Sequence, residues 1–397
     1  MSKGTAWLAT VLQVIACTVL ATSAMAASAN TYNIDVILPE TGGAAFLGKE
    51  EQKALELAEQ EINKAGGVHN QPVHFVIVDD QSSPQTSVQL SNRIVARNPA
   101  VLLGSSLVSA CNAMAPLMKN GPLMYCFSPG IHPPNGSYVF TSSVSTVDAI
   151  GVMIAYFRQR GWTRIALITS ADATGQDAEH SVDTVMANPA NKDLTIVDRA
   201  HFNITDVSVA AQIDHIQQAN PQALIAWSTG TPIATAFKGI VGAGLDIPVG
   251  TSYGNMTYSQ MEQYAGFLPK DLYIASPGWL RHAGLLTLDP QVEKAQARFF
   301  GTFDAAHVKP GIGATLSWDP AMILIDALRH LSLNASAAEV RTYLAQLKGF
   351  AGINGLYDFP AIPQRGLDGS SVVMTRWNSA KSEFDMVSKP GGSPLSP

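Results

Sequence analysis

Short apolar runs recur along this chain, each followed by a segment whose apolar positions fall three or four apart. The first run is NIDVILP, residues 33–39, and after the loop ETGGAAFLG a helix is expected over 49–65. Leu55, Ala58 and Ile62 share one face of it, and Gly66-Gly67 ends it. VHFVIVDD (73–80) is a second strand, a helix starts at Ser83-Pro84 and reaches about Arg97, and VLLG (101–104) is a third strand. A helix over 112–119 leads to LMYCF (123–127). Strand and helix in strict alternation predict a parallel sheet covered on both faces.

The pattern restarts after Ser142. A helix over 147–160 precedes RIALITS, then come a helix over 177–186, LTIVDRA, a helix over 207–219, ALIAWS, a helix over 232–242, IPVGT and LYIAS. Two long helical segments follow, 290–307 and 314–331, and the strands SVVMTRWN and FDMV close the chain. The fold class is therefore α/β, with two Rossmann-like parallel-sheet lobes. The closing strands could return to either half; the division adopted is 30–146 plus 280–356 for the first lobe and 147–279 plus 357–397 for the second. Ligands of such sheets bind beyond the carboxyl ends of the strands, so two facing halves make a cleft lined by strand-end loops.

Composition narrows the partners. At 397 residues, 46% hydrophobic and 14% charged, the chain has ample core for two domains. A net charge of -6 without a block of like charges argues against nucleic acid or an anionic membrane surface as partner. The first 27 residues differ: Lys3 precedes an apolar run from Ala6 to Leu20 and then Ala24-Met25-Ala26. Cleavage after Ala26 and export to the periplasm are expected, with a lipoprotein box at Val14-Ile15-Ala16-Cys17 as the alternative. Two cysteines, Cys111 and Cys126, then remain in an oxidising compartment, either as a disulfide or as buried thiols. No Cys, His and carboxylate cluster has metal-ligand spacing, so no metal and no cofactor are expected.

Several motifs now carry a resemblance. PETGGAAFLG (39–48), INKAGG (62–67), VDDQSSP (78–84), GSSLVS (104–109) and SPG (128–130), in this order, resemble the periplasmic binding proteins of the branched-chain amino acid ABC transporter type. The similarity covers nearly all of the chain after residue 26. It implies a two-domain clamp joined by three crossovers, a monomer that closes on a small molecule and presents it to permease subunits. It also implies a carboxylate grip in the first lobe, at Ser109 or, with a one-residue gap, Val108, and at Ile131-His132. A carboxylate held by backbone N–H groups and a hydroxyl needs no buried cation.

The chain departs from that family where amino acids are usually recognised. His132 stands in place of a threonine, and in ADATGQD (171–177) Thr174 stands in place of a tyrosine. The segment that often supplies an acidic partner for an α-ammonium reads GTSYGN (250–255), with no carboxylate. An ammonium buried there without an anion would carry a desolvation cost of several kcal/mol. The expected ligand is thus a small carboxylate without an α-amino group, an aromatic acid such as a benzoate or phenylpropenoate. Phe46 and Leu47, Trp227 and Gly230, Tyr253 and Trp279 come from predicted strand-end loops and complete the candidate pocket.

Other readings compete. Asp79-Asp80 precede a helix start and are assigned to capping rather than acid–base chemistry. GGAAFLG does not match the dinucleotide pattern G-x-G-x-x-G. GTSYG (250–254) matches G-x-S-x-G, and with Asp289 and His307 in the right order it also admits a secreted esterase using Ser252. A branched-chain amino acid as ligand, or a sensor that signals to a membrane receptor, would use the same clamp. Hinge bending is expected near residues 143–148, 276–279 and 356–358.

Overall fold

A computed structural model describes residues 31–278 and 287–395. The expected signal segment and Trp279 lie outside the described residues. Five parallel strands build the first sheet: β1 (Tyr32–Leu38), β2 (Val73–Asp79), β3 (Val101–Gly104), β4 (Leu123–Cys126) and β5 (Val139–Thr141), in the order β2-β1-β3-β4-β5. Helices α1 (Ala45–Lys64), α2 (Pro84–Val95) and α3 (Val108–Met114) connect the first four.

The second sheet has the order β14-β13-β10-β9-β8-β6-β7. Its parallel part is β6 (Arg164–Ser170), β7 (Thr195–Phe202), β8 (Ala223–Trp227), β9 (Val249–Thr251) and β10 (Leu272–Ser276), linked by α4 (Thr146–Gln159), which precedes β6, α5 (Ala173–Met186), α6 (Ala210–Gln218), α7 (Ile233–Gly242) and α8 (Tyr258–Gln263). The two closing strands, β13 (Val373–Asn378) and β14 (Glu383–Met386), add antiparallel to its edge at β10. Strands β3 and β8 are buried along their whole length, which is why they read as unbroken apolar runs rather than as alternation.

Between β10 and β13 the chain returns to the first sheet as α9 (Pro290–Ala305), α10 (Ile312–His330), α11 (Ala337–Gln346) and the hairpin of β11 (Lys348–Ala351) with β12 (Leu356–Asp358). Helix α10 packs along α1. The chain therefore crosses between the sheets three times, after β5, after β10 and after β12. Pro320 inside α10 lacks the N–H that would bond the Leu316 carbonyl, and Ser142 Oγ in the first crossing donates to that carbonyl instead at 2.8 Å.

Helix starts differ from the sequence expectation. Helix α1 begins at Ala45 rather than at 49, because Gly48 lets its first turn lie on the end of β1: a Cβ there would stand 2.1 Å from the Pro39 carbonyl oxygen. Helix α3 begins at Val108 rather than at 112, with Val108, Cys111 and Met114 buried on one face. Asp172 starts α5 at Ala173 by accepting from the Gly175 N–H at 3.2 Å. These early starts bring the first helical turns to the carboxyl ends of the strands.

Cys111 on α3 and Cys126 at the end of β4 form a disulfide that closes a loop of 15 residues. Cross-linking a loop of that length restricts the unfolded chain by about 3 kcal/mol. Replacing both cysteines by serine should lower the unfolding free energy by roughly that amount, read as a lower urea midpoint with a slope equal to or somewhat above that of the wild type, since the unfolded chain without the cross-link is more expanded. An unchanged midpoint would contradict this account.

Candidate functional site

Each parallel sheet reverses its strand order at one place, between β1 and β3 in the first and between β6 and β8 in the second. At such a reversal the two neighbouring strand-end loops part and leave a crevice. All four loops converge on one cavity. Leu47 comes from the β1 side, Ser106 and Val108 from the β3 side, Thr174 and Asp177 from the β6 side, and Trp227 and Thr229 from the β8 side. Ser128 to Gly130 after β4, Thr146 at the first crossing, Ser252 to Gly254 after β9, and Leu316 of α10 close the remaining walls. The cavity measures about 30 Å³, room for about two waters. The lobes are therefore closed tightly on one another.

Closure is written in contacts between the halves. Thr231 N donates to Gly43 O at 2.8 Å, Ile312 N to Met256 O at 3.0 Å, and the Tyr253 hydroxyl to Val144 O at 2.6 Å. His132 Nε2 lies 2.7 Å from Asp177 Oδ1, with the aspartate side chain nearly buried and the histidine half exposed. Gly130 lets these walls meet, since a Cβ there would stand 2.8 Å from Asp177 Oδ2 and equally close to Val108 Cγ2.

One buried cation organises the loop written SPGIH. Arg365, in the third crossing, donates from Nη2 to the carbonyls of Pro129 and Ile131, both at 2.9 Å, and from Nη1 to those of Ser143 at 3.1 Å and Ser142 at 3.4 Å. Burial lowers its pKa, while Tyr253, Asp148 and Asp177 act the other way. Behind the cavity, Glu51 on α1 is fully buried against Ser106. Burial pushes its carboxyl up to about 8.

The residues proposed from sequence divide. Leu47, Thr174, Trp227 and Tyr253 line the cavity, and Val108 does so rather than its neighbour Ser109. Tyr253 spends its hydroxyl on Val144, leaving its ring to the cavity. Ile131 is buried beside Arg365, which takes its carbonyl. His132 is not among the lining residues but places its Nε2 on Asp177, which is. Phe46 packs edge-to-face on Tyr264 at 5.9 Å and borders a separate cavity with Phe303 and Val308. Gly230 sits against Gly43. Asp79 accepts from the Thr41 hydroxyl at 2.6 Å, and Asp80 from Ser82 N at 2.9 Å and the Ser87 hydroxyl at 3.0 Å, so both serve loop and helix-start structure.

Sequence reasoning missed Ser106, Glu51, Asp177 and Arg365. Asp177 stands three residues after Thr174, and that helical spacing was the available signal. The hydrolase triad is not assembled. Asp289 caps the start of α9 and His307 follows its end, about 25 Å apart along a helix of 16 residues. Ser252 Oγ accepts from Gly254 N at 3.2 Å as the cap of a single 3-10 turn. Among the described residues no group of three or more His, Cys, Asp or Glu could hold a metal ion, and no helix is long and apolar enough to cross a membrane.

Comparison with known proteins meets the same architecture. A family model described as periplasmic binding protein matches residues 31–380. The leucine-, isoleucine-, valine-, threonine- and alanine-binding protein of Pseudomonas aeruginosa is 35% identical over 95 residues, 24% of this chain and 25% of that protein. The Leu/Ile/Val-binding protein homolog 3 of Brucella melitensis is 33% identical over 92 residues, 23% of this chain and 25% of that protein. The matched stretch thus spans about a quarter of each of these curated relatives. Among solved structures, an extracellular ligand-binding receptor from Rhodopseudomonas palustris HaA2 superposes with a TM-score of 0.78 at 18% identity, over 89% of this chain and 99% of that one. The branched-chain amino acid transporter substrate-binding protein of Streptococcus pneumoniae, in complex with isoleucine, gives 0.75 at 19% identity, over 91% and 100%. A solute-binding protein of an R. palustris ABC transporter, in complex with benzoate, gives 0.73 at 17% identity, over 92% and 98%. At such identities the likeness shows the fold alone.

Proposed function

The chain belongs to the periplasmic binding protein family, and from that premise we infer that it is the extracytoplasmic solute-binding component of an ABC importer. Its two lobes close on a small carboxylate with an apolar body and present it to permease subunits. The convergence of all four switch-point loops on one cavity between the lobes carries this reading. The walls fit an acid of this kind: Leu47, Val108, Trp227 and Leu316 offer apolar surface, and the hydroxyls of Ser106, Thr146 and Thr174 offer donors.

Asp177 supports a second reading, an α-amino acid whose ammonium it would face. Against that, His132 already lies on its oxygen. One oxygen of that carboxylate is thereby already taken, which leaves only Oδ2 to face an incoming ammonium. The two readings part in a thermal-shift experiment on the mature protein with benzoate, 4-methyl-2-oxopentanoate and L-isoleucine in excess, because a ligand bound only by the folded state raises the melting temperature. The expected result is stabilisation by one or both amine-free acids and not by isoleucine, with Asp177→Asn retaining the response. Stabilisation by isoleucine that D177N abolishes would replace the first reading with the second.

A further inference from the structure

Among the described residues the Ser106 hydroxyl has one hydrogen-bond partner, and that partner is an acid. Its Oγ, on the cavity wall, lies 2.7 Å from Glu51 Oε2 behind it, and the other oxygen, Glu51 Oε1, is buried with no hydrogen-bond partner among the described residues. The charged groups acting on Glu51 are acidic too: Asp80 at the end of β2 and Glu50 beside it on α1. A carboxylate anion here would keep one oxygen unpaired, with two further carboxyl groups nearby. The neutral acid removes that conflict. With its proton on Oε2 it donates to Ser106 Oγ, and what stays unpaired is only a carbonyl oxygen.

We propose that Glu51 is a positioning residue held neutral, whose O–H donates to Ser106 Oγ so that Ser106 turns its own O–H into the cleft toward an anionic ligand group. This rests on the carboxylate reading of the cleft and deepens it. Ionised Glu51 reverses the hydroxyl: Ser106 then donates backwards to the carboxylate and shows the ligand its lone pairs, with a negative charge behind them. Since burial raises the Glu51 pKa to about 8, the donating arrangement holds below that pH and is lost above it. The Tyr253 hydroxyl is pushed further up by burial, so it does not ionise in the same range.

Two measurements test this. The first needs no ligand: the infrared band of a protonated carboxyl is followed between about pH 7 and about pH 9.5. Because burial also raises the Glu50 carboxyl, the Glu51 band is read as the difference between the wild type and Glu51→Gln; that difference should be present at the lower pH and vanish at the higher. The second follows affinity over the same range, with whichever of benzoate, 4-methyl-2-oxopentanoate or L-isoleucine raises the melting temperature. The wild type should lose about tenfold as Glu51 ionises. E51Q, whose amide donates to Ser106 at every pH, should show no such slope, and Ser106→Ala should weaken binding while keeping the infrared band. Absence of the band at neutral pH, or a wild-type affinity that stays flat, overturns the proposal and leaves the carboxylate reading standing. Should none of the three probes bind at either pH, the carboxylate reading falls and the proposal with it.

Discussion

Arg365→Met should lower the unfolding free energy by about 4 kcal/mol or more and abolish ligand capture. The guanidinium is buried and donates to four backbone carbonyls that belong to two different segments. Hydrogen bonds from a charged donor contribute roughly 1.5–3 kcal/mol each, and a buried carbonyl left without its donor costs about 1–3 kcal/mol. Desolvation of the cation opposes this, as its lowered pKa indicates. It does not decide the outcome: the methionine would remove the charge but leave the carbonyls of Pro129, Ile131 and Ser143 facing an apolar side chain. Ser143 adds a local demand, because its φ of 62° is a left-handed conformation that a serine adopts only when held there. Arg365→Lys should recover only part of the loss, since one ammonium lacks the planar fork that serves both segments at once. Urea unfolding and a ligand titration check both halves of the expectation. A methionine variant that unfolds and binds like the wild type would mean that other groups position the SPGIH loop.

Arg365 also marks where the sequence stops being legible. The strands could be read because a parallel sheet buried on both faces demands unbroken apolar runs such as VLLG and ALIAW, and the Asp and Ser residues before helices announce their starts. Cleft residues at or just beyond a strand end, such as Trp227 and Tyr253, could be read for the same reason: the sheet topology alone brings them to one end. Arg365 follows no such rule. It lies in IPQRGLDG, a crossing without periodicity, and only three-dimensional closure brings it to loops more than 200 positions earlier. Glu51 was legible in principle. In KEEQK it looks like one more solvated charge, yet it stands four residues before Leu55, seven before Ala58 and eleven before Ile62, on the buried face of α1. His132 shows another limit. Its place in the loop suggested a ligand contact, and nothing in the sequence signals that its imidazole also meets Asp177 across the seam.

Gly230→Ala should reduce ligand affinity by about a hundredfold while leaving each half folded. In the closed form a Cβ on Gly230 would stand 2.2 Å from the carbonyl oxygen of Gly43, a backbone atom of the opposite half, at a distance no real Cβ tolerates. Neither side can retreat easily. Gly230 N donates to Asn255 Oδ1 at 3.1 Å and its carbonyl accepts from Gln260 Nε2 at 3.1 Å, both partners being buried, while Gly43 O also accepts from Thr231 N. Its φ of 79° adds a strain of about 1 kcal/mol for any residue with a side chain, which the folded second half can bear. The main effect falls on closure. A ligand that bridges both lobes gains its affinity only from the closed form, so raising the energy of that form by about 3 kcal/mol lowers affinity by about a hundredfold. Small-angle scattering separates this from simple unfolding: the wild type should contract when ligand is added, and G230A should stay extended at the same concentration with a melting temperature only slightly reduced. Should the variant contract and bind normally, the Gly43–Gly230 contact is not part of the ligand-bound closure, and the lobes must meet along another line in that state.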